Sequence, residues 1–500
     1  MLFNSFEFIC LFLPITLAVY FLVGRARDGR LALGWLCLAS LFFYAWWNPA
    51  NLLIIVASVC FNYYLARHLI HPAPQPRRRW YLTAGVGANL ALLGWFKYAN
   101  FFVDNLDALT GAAIQLRHIV LPIAISFFTF QQIVFLVEAY RGQAGDYDFL
   151  HYAMLVTFFP HLIAGPIVHY REMLSQFNRP SARRFSASHM SVGVTIFCIG
   201  LFKKVVIADG VSPYANAVFG AAQSRLPVSF GEAWIGALAY TFQLYFDFSG
   251  YSDMAIGLAR MFGIRFPMNF NSPYQAANII DFWRRWHITL SRFLRDYLYI
   301  PLGGNRKGPI RRHVNLLVTM LLGGLWHGAG WTFVVWGGLH GAYLVINHFW
   351  QAGRARLGLG APSALGRGAA RALTFGCVVL AWVFFRATSF PAATAMLRAM
   401  FTNPDLHGLL RSSLVEPIPA IRWIAVLALV AWFAPNTQEL LGRYRPALGF
   451  EPSPGEGSRF RRLLLWRPSY AWSLAVALLA AASILTLWIG DNAEFLYFQF

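Results

Sequence analysis

Charged residues are scarce in this sequence. They make up 12% of the 500 residues, whereas hydrophobic residues make up 58%. A soluble globular domain carries about 25% charged residues, so this composition argues against a soluble fold. It predicts an all-α protein that crosses a membrane several times. Since no proline-, glycine- or serine-rich linker separates a second domain, residues 1–500 are predicted to form a single integral-membrane domain.

Acidic residues are scarcer than basic ones. The chain has 41 Lys and Arg against 21 Asp and Glu, a formal net charge of +20. The basic residues lie in short loops between apolar segments, which is the pattern of the positive-inside rule. No nucleic-acid-binding motif accompanies them. We therefore interpret the charge as a determinant of topology and of contact with membrane lipids, and we expect no nucleic-acid partner.

The cysteines and histidines lack a recognised metal-binding pattern. The five cysteines lie in apolar segments without a CxxC spacing. No HExxH motif is present, and His327, His340 and His348 do not have metal-ligand spacing. We expect no metal and no bound cofactor. Residues 1–24 have no basic start and no clear cleavage site, so they are predicted to be a retained first span.

Twelve mainly apolar segments are candidate membrane spans, each of which needs about 20 residues. The arginine loops at 25–30 and 77–79 and the acidic loop at 104–107 alternate between the two sides. This alternation puts the N-terminus outside, and the same count puts the aromatic tail, 490–500, outside as well. The predicted spans are 5–24, 31–48, 50–70, 80–103, 118–138, 190–208, 231–258, 314–330, 331–350, 369–387, 420–436 and 468–489.

Two stretches depart from simple spans. Residues 150–170 contain Pro160, Gly165 and Pro166, and a span here would conflict with the loop charges. We predict a re-entrant or broken helix, which is tolerated where it is buried in protein or lines a cavity. Residues 277–299 lie in the most basic part of the chain and have helical periodicity, which predicts a helix along the membrane interface.

Two histidines are the most informative single residues. His327 lies in the apolar run LLVTMLLGGLWHGAGWTFVVWGGLHG, about 20 Å along its predicted helix at 1.5 Å per residue. An ionisable side chain there is costly unless it has a partner or a task. A neutral imidazole can act as a general base on a hydroxyl, or it can be satisfied by a neighbouring helix. His287 lies in the amphipathic stretch IIDFWRRWHITLSRFLRDYLYI, where an interfacial histidine is the alternative.

Acidic residues inside the apolar segment QLYFDFSGYSDMAIG form a second candidate group. Asp247 and Asp253 need partners if they are buried in a span. They can hydrogen-bond neighbouring helices, or they can line a reaction tunnel together with Trp326. Both interpretations remain open from the sequence.

A basic and aromatic cluster at Arg284, Arg285 and Trp286 forms a third candidate group. Arginines at a cytoplasmic surface can hold the phosphates of a soluble donor, because the guanidinium fork matches phosphate oxygens. The alternative is anchoring to anionic lipid headgroups.

Five motifs lie in the central part of the chain. They are LPIAISFFTFQQIVFLVEAYRG (121–142), FFPHLIAGPIVHY (158–170), QLYFDFSGYSDMAIGLA (243–259), NFNSPY with DFWRRWHITLSRFLRDYLYIPLGGNRKG (269–308) and LLGGLWHGAGWTFVVWGGLHG (321–341). In this order they resemble the motifs of membrane-bound O-acyltransferases of the bacterial alginate O-acetyltransferase type. The resemblance identifies 121–341 as the catalytic core.

The resemblance carries expectations about fold and donor. It implies a ring of about 11–12 transmembrane helices, with re-entrant and interfacial helices, around a central tunnel. It implies that His327 is the deep catalytic histidine and His287 the second one, nearer the cytoplasm. Acetyl-CoA is the implied donor substrate.

The resemblance also carries expectations about the acceptor side. It implies a bacterial inner-membrane protein with both termini periplasmic, an extracytoplasmic polysaccharide such as alginate as acceptor, and a separate periplasmic acetyltransferase partner. Tyr497, in the tail EFLYFQF, resembles a tyrosine relay for the acetyl group. Ten extended residues reach about 33–36 Å, enough to approach His327. Two alternatives remain. One is a lipid acyltransferase of the same superfamily, and the other is a polytopic transporter, a class whose sequences often contain an internal repeat.

Overall fold

The structure of the protein is a computed structural model in which the regular elements are helices. Its described residues contain one isolated bridge, between Pro267 and Leu448, and no β-strand. The all-α fold class is therefore confirmed. The described residues are 1–26, 29–71, 74–112, 114, 116, 119–145, 148–402, 412–450, 464–490 and 495–496.

The chain divides into two compact units, and the first comprises Met1–Leu201, Tyr251–Met268 and Thr437–Asn492. Within it, Ile125–Tyr140 is a buried helix that packs against Ala50–Ile70. The helical elements that begin in this unit are Glu7–Phe12, Leu13–Val23, Arg30–Ala45, Ala50–Ile70, Gln75–Leu93, Gly94–Tyr98, Ala99–Thr110, Ile125–Tyr140, Phe149–Thr157, Phe159–Leu162, Tyr170–Phe177, Pro180–Arg183, Ala187–Phe202, Thr437–Leu440, Gly442–Tyr444 and Tyr470–Ile489.

The second unit comprises Phe202–Gly250, Asn269–Asn436 and Ala493–Phe500, and it contains both candidate histidines. The helix Phe230–Met261 begins in this unit. The helical elements that begin here are Lys203–Ala208, Asp209–Gln223, Phe230–Met261, Pro273–Gln275, Ile279–Arg285, Ile288–Leu294, Arg295–Tyr299, Gly308–His327, Trp331–Arg356, Ala364–Arg386, Phe390–Phe401 and Pro417–Phe433.

Helix occupies most or all of each of the twelve predicted spans. By length and composition, four helices in the described part of the chain can cross a membrane. They are Ala50–Ile70, Ala187–Gln223, Ala364–Arg386 and Tyr470–Ile489, and four shorter apolar helices accompany them. On the last of the four, Leu474, Leu478 and Trp488 are exposed. An exposed apolar stripe of this kind suits side chains that face lipid.

The predicted break within 150–170 is confirmed. One helix ends at Thr157, the four-residue helix Phe159–Leu162 follows, and no helix resumes before Tyr170. Gly165 is required here, since a Cβ at this position would lie 2.4 Å from the Cα of His161. Residues 163–168 are buried in their unit, which is the condition for irregular backbone in a membrane protein.

Two helices of the second unit form a hairpin whose close approach depends on glycine. Gly308–His327 and Trp331–Arg356 pack along their lengths. A Cβ at Gly324 would lie 2.2 Å from the carbonyl oxygen of Phe333, and a Cβ at Gly337 would lie 2.3 Å from that of Met320. Small residues let helix backbones approach closely in membrane proteins, and this hairpin fixes the position of His327.

We predict that Gly337→Ala lowers the free energy of unfolding by about 1–3 kcal/mol, because the new methyl group overpacks against backbone. The measurement is thermal unfolding of the detergent-purified protein. Gly338→Ala is the matched control, since its Cβ would lie 3.5 Å from the Leu321 side chain, an ordinary contact. Equal melting temperatures for the two variants would contradict the close-packing account.

Candidate active site

His327 is the last residue of the helix Gly308–His327 and is surrounded by aromatic rings. Its ring centroid lies 4.9 Å from Trp326, 5.1 Å from Trp336 and 5.2 Å from Phe385. The side chain is 5% exposed. These rings enclose the imidazole in an apolar surround that is largely closed to solvent. A neutral imidazole is the form that can accept a proton.

The backbone after His327 leaves room for this aromatic cage. Gly328 is extended and ends the helix, and a Cβ at this residue would lie 2.1 Å from the ring of Phe333. Phe333 in turn packs edge-on against Phe385, at 5.1 Å between centroids. The sequence WHGAG therefore places an imidazole at a helix end and admits a phenyl ring beside its backbone.

His287 lies at a break in the predicted interface helix. The prediction of one helix over 277–299 is wrong, because Ile279–Arg285 and Ile288–Leu294 are separate helices and His287 between them has φ of 42°. Left-handed backbone is uncommon for a non-glycine residue and costs about 1–3 kcal/mol. The surroundings must hold this conformation, and strain of this kind is concentrated at functional sites.

Asn269 holds this turn from 18 residues away. Its backbone oxygen accepts from Ile288 N–H at 2.9 Å, and its side-chain Oδ1 accepts from the Thr289 hydroxyl at 3.0 Å. The same Oδ1 lies 3.1 Å from Nδ1 of His287. Because the backbone N–H of Thr289 also points to this atom, at 3.4 Å, it is the amide oxygen. Nδ1 of His287 therefore carries the proton, and Nε2 carries the lone pair.

His287 is also fully buried. Phe248 packs perpendicular to its ring at 4.8 Å between centroids. Burial lowers the pKa of His287 to about 3, because desolvation disfavours the charged form. At physiological pH the ring is therefore a neutral imidazole in one defined tautomer.

One aromatic core joins the surroundings of the two histidines. Every contact in it is between rings of the second unit, with centroids no more than 6.4 Å apart. Trp286, predicted to bind a donor, is buried in the middle of this core. The successive contacts are His287–Phe270, Phe270–Trp286, Trp286–Trp382, Trp382–Phe385 and Phe385–His327.

The two predicted donor-binding arginines differ in their surroundings. Arg284 is exposed. Arg285 is half-buried, forms an ion pair with Asp281 at 2.9 Å, and donates to the backbone oxygen of Asn271 at 3.3 Å. Arg284 is therefore the more accessible of the two for an external phosphate, and Arg285 supports the short helix on which both lie.

The two predicted tunnel acids each have partners within the protein. Asp253 accepts from the Thr437 hydroxyl at 2.6 Å and from the Gln438 amide at 2.9 Å. Asp247 forms an ion pair of 2.8 Å with Lys204, a residue that sequence reasoning missed. These contacts match the structural alternative, in which buried acids tie neighbouring segments together. The signal for Lys204 was present, as a lysine pair within an apolar segment with an aspartate five positions on.

The C-terminal tail is described at Phe495 and Leu496, both of which are buried. The backbone N–H of Leu496 donates to Oδ2 of Asp247 at 3.0 Å. Phe495 packs on Phe248 at 5.8 Å between centroids, and Phe248 contacts His287. The predicted relay residue, Tyr497, follows Leu496 directly in sequence and lies outside the described residues.

Comparison with known proteins establishes the family. The sequence model of the membrane-bound O-acyltransferase family matches residues 81–389, a range that includes both histidines, the glycine hairpin and the aromatic core. The chain belongs to this family. It is therefore a membrane protein, as its apolar helices indicate, and acyl transfer is the class of activity to which it is assigned.

Curated relatives extend the likeness over the whole chain. A probable alginate O-acetylase AlgI of Pseudomonas putida is 42% identical over 100% of both chains. A peptidoglycan O-acetyltransferase of Helicobacter pylori is 45% identical over 80% of each chain. A teichoic acid D-alanyltransferase of Bacillus subtilis is 28% identical over 46% of this chain and 59% of its own. The two relatives named for O-acetyl transfer match most of the chain, whereas the D-alanyltransferase matches less than half of it.

We predict that Asn269→Ala slows acyl transfer at least about tenfold, because the His287 imidazole is no longer held in place. A loss of about 1.4 kcal/mol of transition-state stabilisation slows a reaction tenfold. The substitution removes the acceptor that fixes the His287 tautomer. The measurement is the initial rate of acyl transfer. Asn271→Ala is the control, because the Asn271 side chain accepts from Asn436 instead. A full rate in Asn269→Ala would refute the role of this contact.

Proposed function

We propose that this protein is a membrane O-acetyltransferase that passes acetyl from cytoplasmic acetyl-CoA toward a polysaccharide outside a bacterial inner membrane. The relatives that match most of the chain are named for O-acetyl transfer to alginate or peptidoglycan, and in both the acceptor group is a sugar hydroxyl. The observation that carries the proposal is the imidazole of His327, buried at a helix end inside an aromatic cage.

His327 is the proposed general base. Its imidazole removes the proton of the acceptor hydroxyl, and the oxygen attacks the thioester carbonyl carbon. The tetrahedral intermediate collapses, the C–S bond breaks, and the thiolate leaves with the proton that His327 had taken. Positioned acid–base catalysis of this kind contributes about 10²–10⁴-fold to a rate. The aromatic cage excludes water, which limits competing hydrolysis of the thioester.

His287 has a different proposed role. Because its Nδ1–H is held by Asn269, the ring presents an acceptor at Nε2 and cannot donate to a thioester carbonyl there. We assign it to orienting the donor, by accepting a hydrogen bond from an amide N–H of the pantetheine arm. The left-handed backbone and the Asn269 contacts fix the direction of that acceptor.

Arg284 is proposed to hold phosphate groups of the donor, with Arg285 and Trp286 supporting the segment. Its exposure leaves the guanidinium accessible, and a charge-assisted contact to phosphate contributes about 1.5–3 kcal/mol. Trp326, in contact with His327, is proposed to line the path of the thioester. Asp247 and Asp253 remain candidates for this path.

On the acceptor side, the proposed relay is Tyr497 or a hydroxyl of a periplasmic acetyltransferase partner. The described part of the tail supports an inward course, since Phe495 and Leu496 are buried beside Phe248. A separate partner then modifies the polymer. In this arrangement both termini are periplasmic, as the loop charges predict.

We predict that His327→Gln slows acetyl transfer by about 10²–10⁴-fold, because glutamine keeps polar bulk but cannot take a proton. The measurement is thiol release from acetyl-CoA together with acetyl bound to acceptor. His348→Gln is the control, since this half-buried histidine lies on the neighbouring helix outside the cage. The unfolding temperature of each variant checks folding. A full rate in His327→Gln would remove the general-base assignment.

We predict that Arg284→Gln raises the KM for acetyl-CoA at least about tenfold, because a lost charge-assisted contact costs about 1.5–3 kcal/mol. The same variant should leave the KM for acetyl-pantetheine unchanged, since that donor lacks the phosphates. Arg306→Gln, at another exposed position of the basic segment, is the control. If Arg284→Gln raises the KM for acetyl-CoA and for acetyl-pantetheine equally, Arg284 does not bind phosphate. Lipid anchoring is then the better interpretation.

A further inference from the structure

Lys204 is a buried cation at an irregular turn. It lies in the π-helical element Lys203–Ala208, which interrupts the helical stretch between Ala187 and Gln223. The residue is 2% exposed. A π-turn inserts one extra residue into the helical repeat and is frequent at functional sites. The position and burial of Lys204 therefore call for an explanation beyond membrane topology.

Two carboxylates share this lysine. Its Nζ lies 2.7 Å from Oδ1 of Asp209 and 2.8 Å from Oδ1 of Asp247. A buried ion pair is weak evidence for stability, because desolvation of both ions offsets their attraction. The group has two carboxylates and one ammonium, so its carboxylate oxygens need hydrogen-bond donors in addition to Lys204. The second oxygen of Asp247 meets this demand by accepting the Leu496 N–H at 3.0 Å.

The contact at Leu496 is made to its backbone. It fixes the position of the Leu496 backbone whatever side chain stands there. Phe495, one residue earlier, is 2% exposed and packs on Phe248. Phe248 meets the His287 ring at right angles, at 4.8 Å. The ion pair, the tail and His287 are thus joined through three successive contacts within one unit.

We propose that the Lys204–Asp247 ion pair is a latch that positions the C-terminal tail beside His287. Lys204 is a positioning residue: it holds Oδ1 of Asp247, so Oδ2 is directed to the Leu496 N–H. Without Lys204, the carboxylate loses its cation, rotates or takes up a proton, and no longer holds the tail. The docking claim stands on these contacts alone, and its effect on acetyl transfer rests on the proposed function.

The docking test is hydrogen–deuterium exchange of the Leu496 amide in the full-length, detergent-purified protein. The test variant combines Lys204→Met with Asp209→Asn. The second substitution keeps the net charge of the group unchanged, because Lys204→Met alone would leave two buried carboxylates without a cation. Asp209→Asn alone is the matched control, since it retains the Lys204–Asp247 pair. The amides of Gly308–His327 report whether the unit as a whole has loosened.

We expect the Leu496 amide to exchange at least about tenfold faster in the double variant than in the control, because exchange follows the opening equilibrium of its hydrogen bond. The amides of Gly308–His327 should be unchanged. An equal Leu496 rate in the two folded variants would overturn the latch. Lys204→Arg keeps a cation at this position, so the Leu496 amide should exchange slowly in that variant. Fast exchange of this amide in Lys204→Arg would show that the positive charge does not hold the tail.

A second readout separates the latch from the proposed function. With acetyl-CoA as donor, the double variant should lose transfer to the acceptor while background thioester hydrolysis continues. Unaltered transfer with an undocked tail would show that the latch does not serve acetyl transfer. If the unmodified protein consumes no acetyl-CoA, the proposed function fails, and the exchange result still decides whether Lys204 holds the tail.

Discussion

An interruption of regular helix positions each of the three ionisable side chains on which this account depends. His327 ends a helix, His287 stands between two short helices, and Lys204 lies in a π-turn. In an apolar surround each freed backbone group needs a partner within the protein. At His287 the Asn269 backbone supplies one of these partners. The contacts that satisfy the freed backbone groups therefore also fix the positions of these side chains.

In the proposed function, the surroundings of the two histidines give identical side chains different chemical roles. His327 is enclosed by rings and suits proton transfer, whereas His287 has its tautomer fixed by an amide oxygen and suits orientation. The shared aromatic core, with Trp286 at its centre, packs against both rings. A small shift of either group is costly, because effective catalysis depends on near-ångström placement.

Much of the fold was predictable from sequence, because apolar length alone sets the spans and proline and glycine mark the break near Pro160. His327 was identifiable because an ionisable group in an apolar run is costly, whereas His287, in a basic amphipathic stretch, was singled out with the motif resemblance and its burial was not predicted. The turn at His287 was not predictable, since its helical periodicity is continuous and its support comes from Asn269, distant in sequence. Lys204 was missed because two lysines near the end of an otherwise apolar segment do not disqualify a span, and the residues around its π-turn do not distinguish it from regular helix.

Sided proteoliposomes would show whether the protein carries acetyl from one face of the membrane to the other. The purified protein would receive isotopically labelled acetyl-CoA on one face only, with an acceptor polysaccharide and its periplasmic transferase enclosed on the other. We expect labelled O-acetyl groups on the enclosed polymer and an equal amount of released thiol. Label found on lipid, or acetyl-CoA left intact while a solute crosses, would contradict this expectation.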